Sequence, residues 1–150
     1  MQIKVLMVCL GNICRSPLAE GILKSKVDPS RILVDSAGTA GYHVGSSPDD
    51  RSIAVARNFQ IDISQQRCRR FVIEDFDRFD HIFVMDQSNY QDVLELAQRE
   101  SHIRKVRLIL EETNLDYEEV PDPYYGGESG FDHVYQLLDN ACNVLAERLK

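Results

Sequence analysis

The chain has 150 residues, of which 43% are hydrophobic, and a formal net charge of −7 at pH 7. This length and composition predict one domain over residues 1–150 with a sizeable core, and they leave no room for a second domain. The negative charge gives no general attraction for nucleic acid, so we expect no nucleic-acid partner.

The start of the chain and its cysteine content indicate the compartment. The first residues enter a strand-like run that is too short for a signal peptide or a membrane span. We therefore expect a cytoplasmic monomer with no membrane partner. The four cysteines and four histidines lack metal-ligand spacing and are too few for a disulfide scaffold. Free thiols, with no metal and no cofactor, are the prediction.

The first predicted elements are a strand, a loop and a helix. Residues 3–8 are almost all apolar, which is typical of a strand covered on both faces of a parallel sheet. Apolar residues at helical spacing over residues 18–27 predict an amphipathic helix, with Ser16 as a candidate N-cap and Pro17 at its first position. This arrangement would direct the backbone N–H groups of the loop toward an anion above Cys9.

The remaining predicted elements alternate in type. They are strands over residues 31–34, 80–86 and 106–110, helices over 50–59, 87–98 and from 131 onward, and a long loop over 36–50. The alternation predicts an α/β fold, a four-stranded parallel sheet flanked by helices on both faces, with the phosphate loop between the first strand and the first helix. Cys9, Ser36, Asp86 and the segment around Asp122 should meet at the carboxyl edge of this sheet, where ligands bind.

Cys9 and Arg15 are the candidate catalytic pair. Their spacing alone is weak evidence, because Cys142 and Arg148 repeat it inside a predicted helix. Cys9 differs because a strand precedes it, Gly11 permits close backbone approach, and a helix begins just after Arg15. We expect the loop and Arg15 to favour a Cys9 thiolate that attacks phosphorus, while the planar guanidinium binds two phosphoryl oxygens.

Asp122 is the candidate proton donor. Expelling a tyrosine oxyanion, whose conjugate acid has a pKa of about 10, requires such a donor. Two flanking prolines stiffen the backbone at Asp122, and the same carboxyl could later take a proton from the hydrolytic water. A simple Pro-Asp-Pro turn is the alternative.

Several further residues have both a functional and a plain structural interpretation. Asn12 is predicted to brace the loop, and Ser16 either caps the helix, donates to the Cys9 sulfur, or does both. Tyr42 is a candidate stacking wall or mere cover, and Tyr124 and Tyr125 form an aromatic flank. Cys14 is a candidate redox partner that forms a reversible disulfide with Cys9, or a small buried side chain.

Two basic clusters are also ambiguous. The first contains Arg67, Arg69 and Arg70, and the second contains Arg104, Lys105 and Arg107. Such clusters are usually solvated surface. The functional alternative is that they guide an acidic phosphopeptide.

Four segments, taken in order, resemble those of low-molecular-weight protein tyrosine phosphatases. They are residues 9–17 with Ala19-Glu20, residues 35–39, residues 85–86 and residues 122–126. The resemblance spans essentially the whole chain and implies hydrolysis of phosphotyrosine and aryl phosphates through a phosphocysteine intermediate. It also implies a phosphotyrosine-containing protein substrate, with a tyrosine kinase as a further candidate partner.

The resemblance assigns roles to individual residues. Cys9 is the implied nucleophile, Arg15 the transition-state clamp, and Asp122 the general acid and then base. The implied phosphate-binding residues of the loop are Leu10, Gly11, Asn12, Ile13, Cys14 and Ser16. Asn12, Ser16 and Ser36 are implied to support the loop. Tyr42, Tyr124 and Tyr125 are implied to line the substrate cleft. One departure is Gln66, which stands where many members carry a histidine that supports the loop serine.

Two other functions remain open at the level of sequence. A thiol-dependent arsenate reductase uses the same loop but needs two more thiols near it, and Cys68 and Cys142 lie far apart in the sequence. A non-catalytic phosphotyrosine-binding module would not require a nucleophile or a proton donor.

Overall fold

The computed structural model of the protein describes residues 2–124, 126 and 128–149, with only the backbone for residues 128 and 129. Within this part of the chain, four parallel strands form one sheet: β1 (Ile3–Cys9), β2 (Ile32–Gly38), β3 (His81–Val84) and β4 (Val106–Leu108). Their order across the sheet is β2-β1-β3-β4. Strand β2 lies on one side of β1, and β3 and β4 lie on the other side, so the strand order has its switch point between β1 and β3.

Helices connect and cover the strands. They are α1 (Arg15–Lys24), α2 (Asp50–Arg57), α3 (Asp75–Arg78), α4 (Gln87–Leu94), α5 (Glu100–Arg104), a 3-10 helix (Ile109–Glu112) and α6 (Glu128–Arg148). None of these helices, among the residues that the structure describes, is long and apolar enough to cross a membrane.

The central strand β1 divides the core in two because its side chains alternate between faces. Val5 and Met7 pack with apolar residues of α1, α2 and α6. Leu6 and Val8 pack on the opposite face with residues of α3 and α4. Full burial of such a side chain contributes about 1.5–3 kcal/mol, so the sheet is held from both sides. The predicted α/β fold with helices on both faces is confirmed.

The structure corrects the predicted boundaries at the site. Strand β2 continues to Gly38, in register with Cys9 of β1, so the predicted loop over residues 36–50 begins later and Ser36 lies within the strand. A Cβ at Gly38 would lie 2.8 Å from the Leu10 carbonyl oxygen. Gly38 therefore lets the strand pass directly beneath the phosphate loop.

The prediction that Ser16 caps α1 is wrong. The N-cap position belongs to Cys14, which makes no side-chain cap bond, and Ser16 lies inside the first turn. The hydroxyl of Ser16 is used in the site instead. The short α3, α5 and 3-10 helices were not predicted, because four or five residues are too few for a periodic hydrophobic pattern.

Candidate active site

The phosphate loop, residues 9–15, lies at the carboxyl end of β1. Strand β3, which pairs with β1, ends nearby and is followed by Asp86. Such a switch point in strand order is where open α/β sheets bind ligands. A cavity of about 340 Å³ opens there, and it is lined by Cys9, Leu10, Gly11, Ile13, Cys14, Arg15, Tyr42, His43, Asp122 and Tyr124.

Cys9 lies at the bottom of this cavity and is only 3% exposed. Its Sγ lies 3.0 Å from the Ser16 hydroxyl oxygen and accepts a hydrogen bond from the backbone N–H of Asn12 at 3.3 Å. The sulfur is therefore held at the bottom of the cavity by contacts with Asn12 and Ser16.

Asn12 holds the curved backbone of the loop. Its φ of 58° is left-handed, a conformation that Asn tolerates better than most residues. Its side-chain NH₂ donates to the hydroxyl oxygens of Ser16 at 2.8 Å and Ser36 at 3.0 Å, and its Oδ1 accepts from the backbone N–H of Arg69. The loop thus needs its unusual conformation at Asn12, whereas the sequence directed attention to Gly11.

The bracing network continues to a residue whose role the sequence did not reveal. Ser36 donates to Oε1 of the buried Glu20 at 2.6 Å, and Lys24 donates to Oε2 of Glu20 at 2.5 Å. Burial raises the pKa of Glu20, and the bonds from Lys24 and Ser36 act in the opposite direction. A chain of hydrogen bonds therefore runs from the surface at Lys24 to the Cys9 sulfur.

Several backbone amides of the loop are not used by the part of the protein that the structure describes. Among the described residues, none accepts a hydrogen bond from the backbone N–H of Leu10, Gly11, Ile13 or Cys14. Such a set of loop amides before a helix can bind an anion of the size of a phosphoryl group.

Arg15 closes the cradle and is 2% exposed. Its Nη1 donates to Asp86 Oδ2 at 2.6 Å and to the Val120 carbonyl at 3.0 Å, while Nη2 lies 3.6 Å from Asp122 Oδ2. Burial alone would lower the pKa of Arg15, but Cys9 and Asp86 raise it above its ordinary value. The guanidinium is therefore charged and fixed beside Cys9.

The acid loop, residues 120–124 with residue 126, brings Asp122 to the cavity. The Val120 N–H donates to the Met85 carbonyl at 2.8 Å, which ties this loop to the end of β3. Asp122 Oδ1 accepts from the Tyr124 N–H at 3.1 Å. The Asp122 side chain is 40% exposed, so its carboxyl faces the cavity mouth and solvent.

Aromatic side chains form the rim of the cavity. Tyr42 is 78% exposed and Tyr124 is 38% exposed. The sequence assigned no role to His43, whose ring packs edge to face with that of Tyr42, with the ring centres 6.4 Å apart. A Cβ at Gly11 would lie 3.2 Å from the His43 ring. Tyr125, predicted as a cleft residue, lies outside the described residues. The rim thus offers flat surfaces to an aryl group.

Gln66 occupies a position behind the loop but does not reach Ser16. Its Nε2 donates to the Pro17 carbonyl at 3.1 Å, and its buried Oε1 has no hydrogen-bond partner among the described residues. Gln66 therefore supports the first turn of α1, and orientation of the Ser16 hydroxyl falls to Asn12.

The other thiols lie at different distances from the loop. Cys68 is distant in sequence but its Sγ donates to the Asn12 carbonyl at 2.8 Å, on the buried side of the loop. Cys142 contacts the Ala19 carbonyl at 3.8 Å behind α1. All four cysteines are free and buried. The described residues contain no group of three His, Cys, Asp or Glu side chains that could hold a metal ion.

Known proteins resemble this chain in sequence and in fold. A sequence model of the family described as low molecular weight phosphotyrosine protein phosphatase matches residues 4–150. A protein of that name from Schizosaccharomyces pombe is 39% identical over 96% of this chain and 96% of its own length.

Solved structures are similar along the whole chain. A protein tyrosine phosphatase from Entamoeba histolytica, with Hepes in its active site, has a TM-score of 0.93 and 39% identity, covering 99% of this chain and 97% of that chain. Vibrio vulnificus Wzb in complex with benzylphosphonate has a TM-score of 0.87 and 28% identity, covering 99% of each chain.

The fold and these matches define a protein tyrosine phosphatase, a hydrolase. The chain belongs to the low molecular weight phosphotyrosine protein phosphatase family. This family implies phosphotyrosine-containing protein substrates, which favours a phosphatase over an arsenate reductase and over a non-catalytic binding module.

Proposed function

We propose that Cys9, Arg15 and Asp122 carry out hydrolysis of protein phosphotyrosine in two displacement steps. The observation that carries this proposal is the position of Arg15, which contacts Asp86 and Val120 and lies 3.6 Å from Asp122 beside a buried Cys9. A nucleophile, a cation and a carboxyl therefore surround one cavity. Vibrio vulnificus Wzb was solved in complex with benzylphosphonate, a compound that joins an aryl group to a phosphonate much as phosphotyrosine joins an aryl group to a phosphate.

In the first step, the Cys9 thiolate attacks phosphorus as the bond from phosphorus to the phenolic oxygen breaks. Asp122 gives its proton to the departing oxygen, so a neutral tyrosine leaves. Arg15 and the free loop amides bind the equatorial oxygens of the phosphoryl group, where negative charge is spread in the transition state.

In the second step, water attacks the phosphocysteine. The Asp122 carboxylate takes a proton from this water as the new oxygen–phosphorus bond forms and the sulfur–phosphorus bond breaks. The Ser16 hydroxyl, 3.0 Å from the sulfur, stabilises the departing thiolate. Inorganic phosphate leaves, and both Cys9 and Asp122 return to their starting states.

The other loop and rim residues fit this scheme. Leu10, Gly11, Ile13 and Cys14 supply amides, Asn12, Ser16 and Ser36 hold the loop, and Tyr42, Tyr124 and Tyr125 flank the aryl ring. We assign residues 1–150 to one phosphatase domain that acts as a cytoplasmic monomer, with a tyrosine kinase as a further candidate partner.

Cys14 is proposed to protect the nucleophile from oxidation. Peroxide converts the Cys9 thiolate to a sulfenic acid, and attack by Cys14 then forms a disulfide and releases water. Burial, then the charges of Asp49 and Cys9, raise the pKa of Cys14 to about 12, so this attack should be slow. Mass spectrometry after peroxide should find the linked peptide; overoxidised Cys9 alone would contradict this role.

Turnover of p-nitrophenyl phosphate and of a phosphotyrosine peptide tests the whole assignment. Wild type should release phosphate, Cys9→Ser should release none, and Asp122→Ala should be slower by about 10²–10⁴-fold with the peptide. An active Cys9→Ser variant would overturn the assignment. Thiol-dependent arsenate reduction without phosphatase activity would favour the reductase.

A further inference from the structure

Arg51, in the first turn of α2, contacts the acid loop through its guanidinium. Its Nη2 donates to the Tyr124 carbonyl at 2.9 Å and its Nη1 donates to the Gly126 carbonyl at 3.3 Å. Its Cζ lies 5.5 Å from the centre of the Tyr124 ring and 4.6 Å from that of Phe131. One guanidinium thus joins the acid loop to the start of α6.

Asp49 fixes the orientation of this guanidinium. Asp49 Oδ1 accepts from Arg51 Nε and Oδ2 accepts from Arg51 Nη2, both at 3.0 Å. Such a two-point contact constrains the plane of an arginine better than a single bond does. Burial alone would raise the pKa of Asp49, but the hydrogen bonds from Arg51 lower it below its ordinary value. Asp49 is therefore an anion that holds Arg51.

The same turn of α2 is tied to the phosphate loop. The Asp49 N–H donates to the Ile13 carbonyl at 2.8 Å, and the Ser52 hydroxyl donates to the Cys14 carbonyl at 3.2 Å. Asp49 also caps α2 by accepting from the Arg51 N–H at 2.9 Å. A continuous series of hydrogen bonds therefore connects the loop that carries Cys9 to the loop that carries Asp122.

Tyr124 transmits this restraint to the carboxyl. Its N–H donates to Asp122 Oδ1 at 3.1 Å, while its carbonyl accepts from Arg51. The Asp122 side chain is itself 40% exposed, and Arg15 is 3.6 Å from its other oxygen. Within the part of the chain that the structure describes, few direct contacts hold the Asp122 carboxyl, so its direction depends on the backbone of the loop.

We propose that Arg51, oriented by Asp49, is a positioning residue that holds the acid loop so that Asp122 meets the leaving oxygen. This inference rests on the proposed role of Asp122 as the general acid and adds the element that aims it. Misplacing a catalytic group by about 1 Å can cost about 10²-fold in rate. The alternative is that Arg51 only stabilises the packing of α2 against α6.

Leaving-group dependence separates the two roles. Phenyl phosphate expels a poor leaving group, with a conjugate-acid pKa of about 10 as in tyrosine, and so needs the acid. p-Nitrophenyl phosphate expels a stabilised anion that needs the acid much less. Loss of Asp122 positioning lowers kcat/KM mainly for phenyl phosphate, whereas general loss of folded enzyme lowers both values equally.

The experiment measures kcat/KM for both substrates in wild type, Arg51→Gln, Asp122→Asn and the double variant. Arg51→Gln should lower the kcat/KM for phenyl phosphate, divided by the kcat/KM for p-nitrophenyl phosphate, by about tenfold. This factor is the equivalent of one charged hydrogen bond. In the Asp122→Asn background the same change should alter the ratio by less than about twofold. Arg57→Gln, at the exposed end of α2, is the matched control and should leave the ratio unchanged.

Two further variants keep the test decisive if Arg51→Gln folds poorly. Asp49→Asn retains an N-cap acceptor but loses the charged two-point contact, and Arg51→Lys retains the charge but not the fork. Both substitutions should also lower the ratio of the kcat/KM value for phenyl phosphate to that for p-nitrophenyl phosphate, and they should change kcat more than KM. An equal loss for both substrates, or a full Arg51 effect without Asp122, would overturn the proposal. If Asp122→Asn itself leaves the ratio unchanged, the proposed acid fails rather than the Arg51 contact alone.

Discussion

Arg15 and Asp86 form a 2.6 Å ion pair beneath the phosphate loop, between residues that lie 71 positions apart in the chain. Asp86 uses its other oxygen to cap α4 by accepting from the Asn89 N–H at 2.8 Å. One carboxylate thus caps a helix and holds the guanidinium that we propose binds the phosphoryl group. The end of β3 is therefore a structural part of the catalytic site.

Asp86→Asn should separate these two tasks. Asn remains a good N-cap, so α4 should persist, but the charged contact with Arg15 is lost. We expect kcat/KM for a phosphotyrosine peptide to fall by about ten- to a hundredfold, corresponding to about 1.5–3 kcal/mol for a hydrogen bond to a charged group. Asp92→Asn, also on α4, is the control. Unchanged kinetics in Asp86→Asn would show that Arg15 holds its position without this carboxylate.

Alkylation by iodoacetamide should distinguish Cys9 from the other thiols. Burial is the largest cause that raises the pKa of Cys14 to about 12 and of Cys68 to about 11, and burial also raises the pKa of Cys142. Since the thiolate is the reactive form, these three thiols are protonated and unreactive at pH 7. We expect modification at Cys9 alone, and phosphate should slow it by occupying the cavity.

Mass spectrometry of the alkylated peptides measures this selectivity, and Cys9→Ser is the control. As the pH rises, Cys68 should react before Cys14 because its pKa is lower. Labelling of Cys14 or Cys68 at pH 7 as fast as labelling of Cys9 would contradict the burial-based account.

Arg70 should favour substrates with an acidic residue near phosphotyrosine. In its cluster, Arg69 is paired with Asp35 and Asp75, and Arg67 donates to backbone carbonyls. Arg70 is exposed and has no ion pair among the described residues, and a Cβ at Gly41, next to Tyr42, would lie 3.8 Å from its Nη1. It is thus a free cation beside the rim.

Peptides with Glu or Gln flanking phosphotyrosine test this preference. The ratio of their kcat/KM values should fall by about two- to fivefold in Arg70→Gln, as expected for an exposed ion pair, and the effect should weaken with salt. Arg104→Gln is the control, because its cluster borders the cavity at Ile3 and His81, about 20 Å away at the other end of β1. An equal loss in both variants would indicate only long-range charge.

Gly38→Ala should destabilise the protein and disturb the loop. The new Cβ would lie 2.8 Å from the Leu10 carbonyl and 3.1 Å from Asn12 atoms, closer than side chains normally approach. We expect the free energy of unfolding, measured by urea denaturation, to fall by about 1–3 kcal/mol. At Gly41 the nearest atom would be 3.6 Å away, so Gly41→Ala is the control. Equal stability of the two variants would contradict the close approach.

The residues that could be predicted have local signals. Cys9 and Arg15 share one loop between a strand and a helix, and two prolines flank Asp122. The contacts of Arg51 with Tyr124 and of Cys68 with Asn12 join residues far apart in the chain, so no local pattern identifies them. Glu20 belongs to a segment that resembles the family, but its contact with Ser36 also forms only in the fold. Ser16 shows the opposite failure: a serine followed by a proline is a typical N-cap signal, but the helix already begins at Arg15 and the hydroxyl lies beside the Cys9 sulfur.

The most direct test of the central claim is detection of a phosphoryl group on Cys9 during turnover. Wild-type enzyme is mixed with p-nitrophenyl phosphate, denatured rapidly and digested, and the Cys9 peptide is analysed by mass spectrometry. The account predicts phosphorylation at the Cys9 sulfur, with a larger phosphorylated fraction in Asp122→Ala if hydrolysis becomes slower than attack. Steady turnover with phosphorylation at another residue, or turnover that persists in Cys9→Ser, would contradict it.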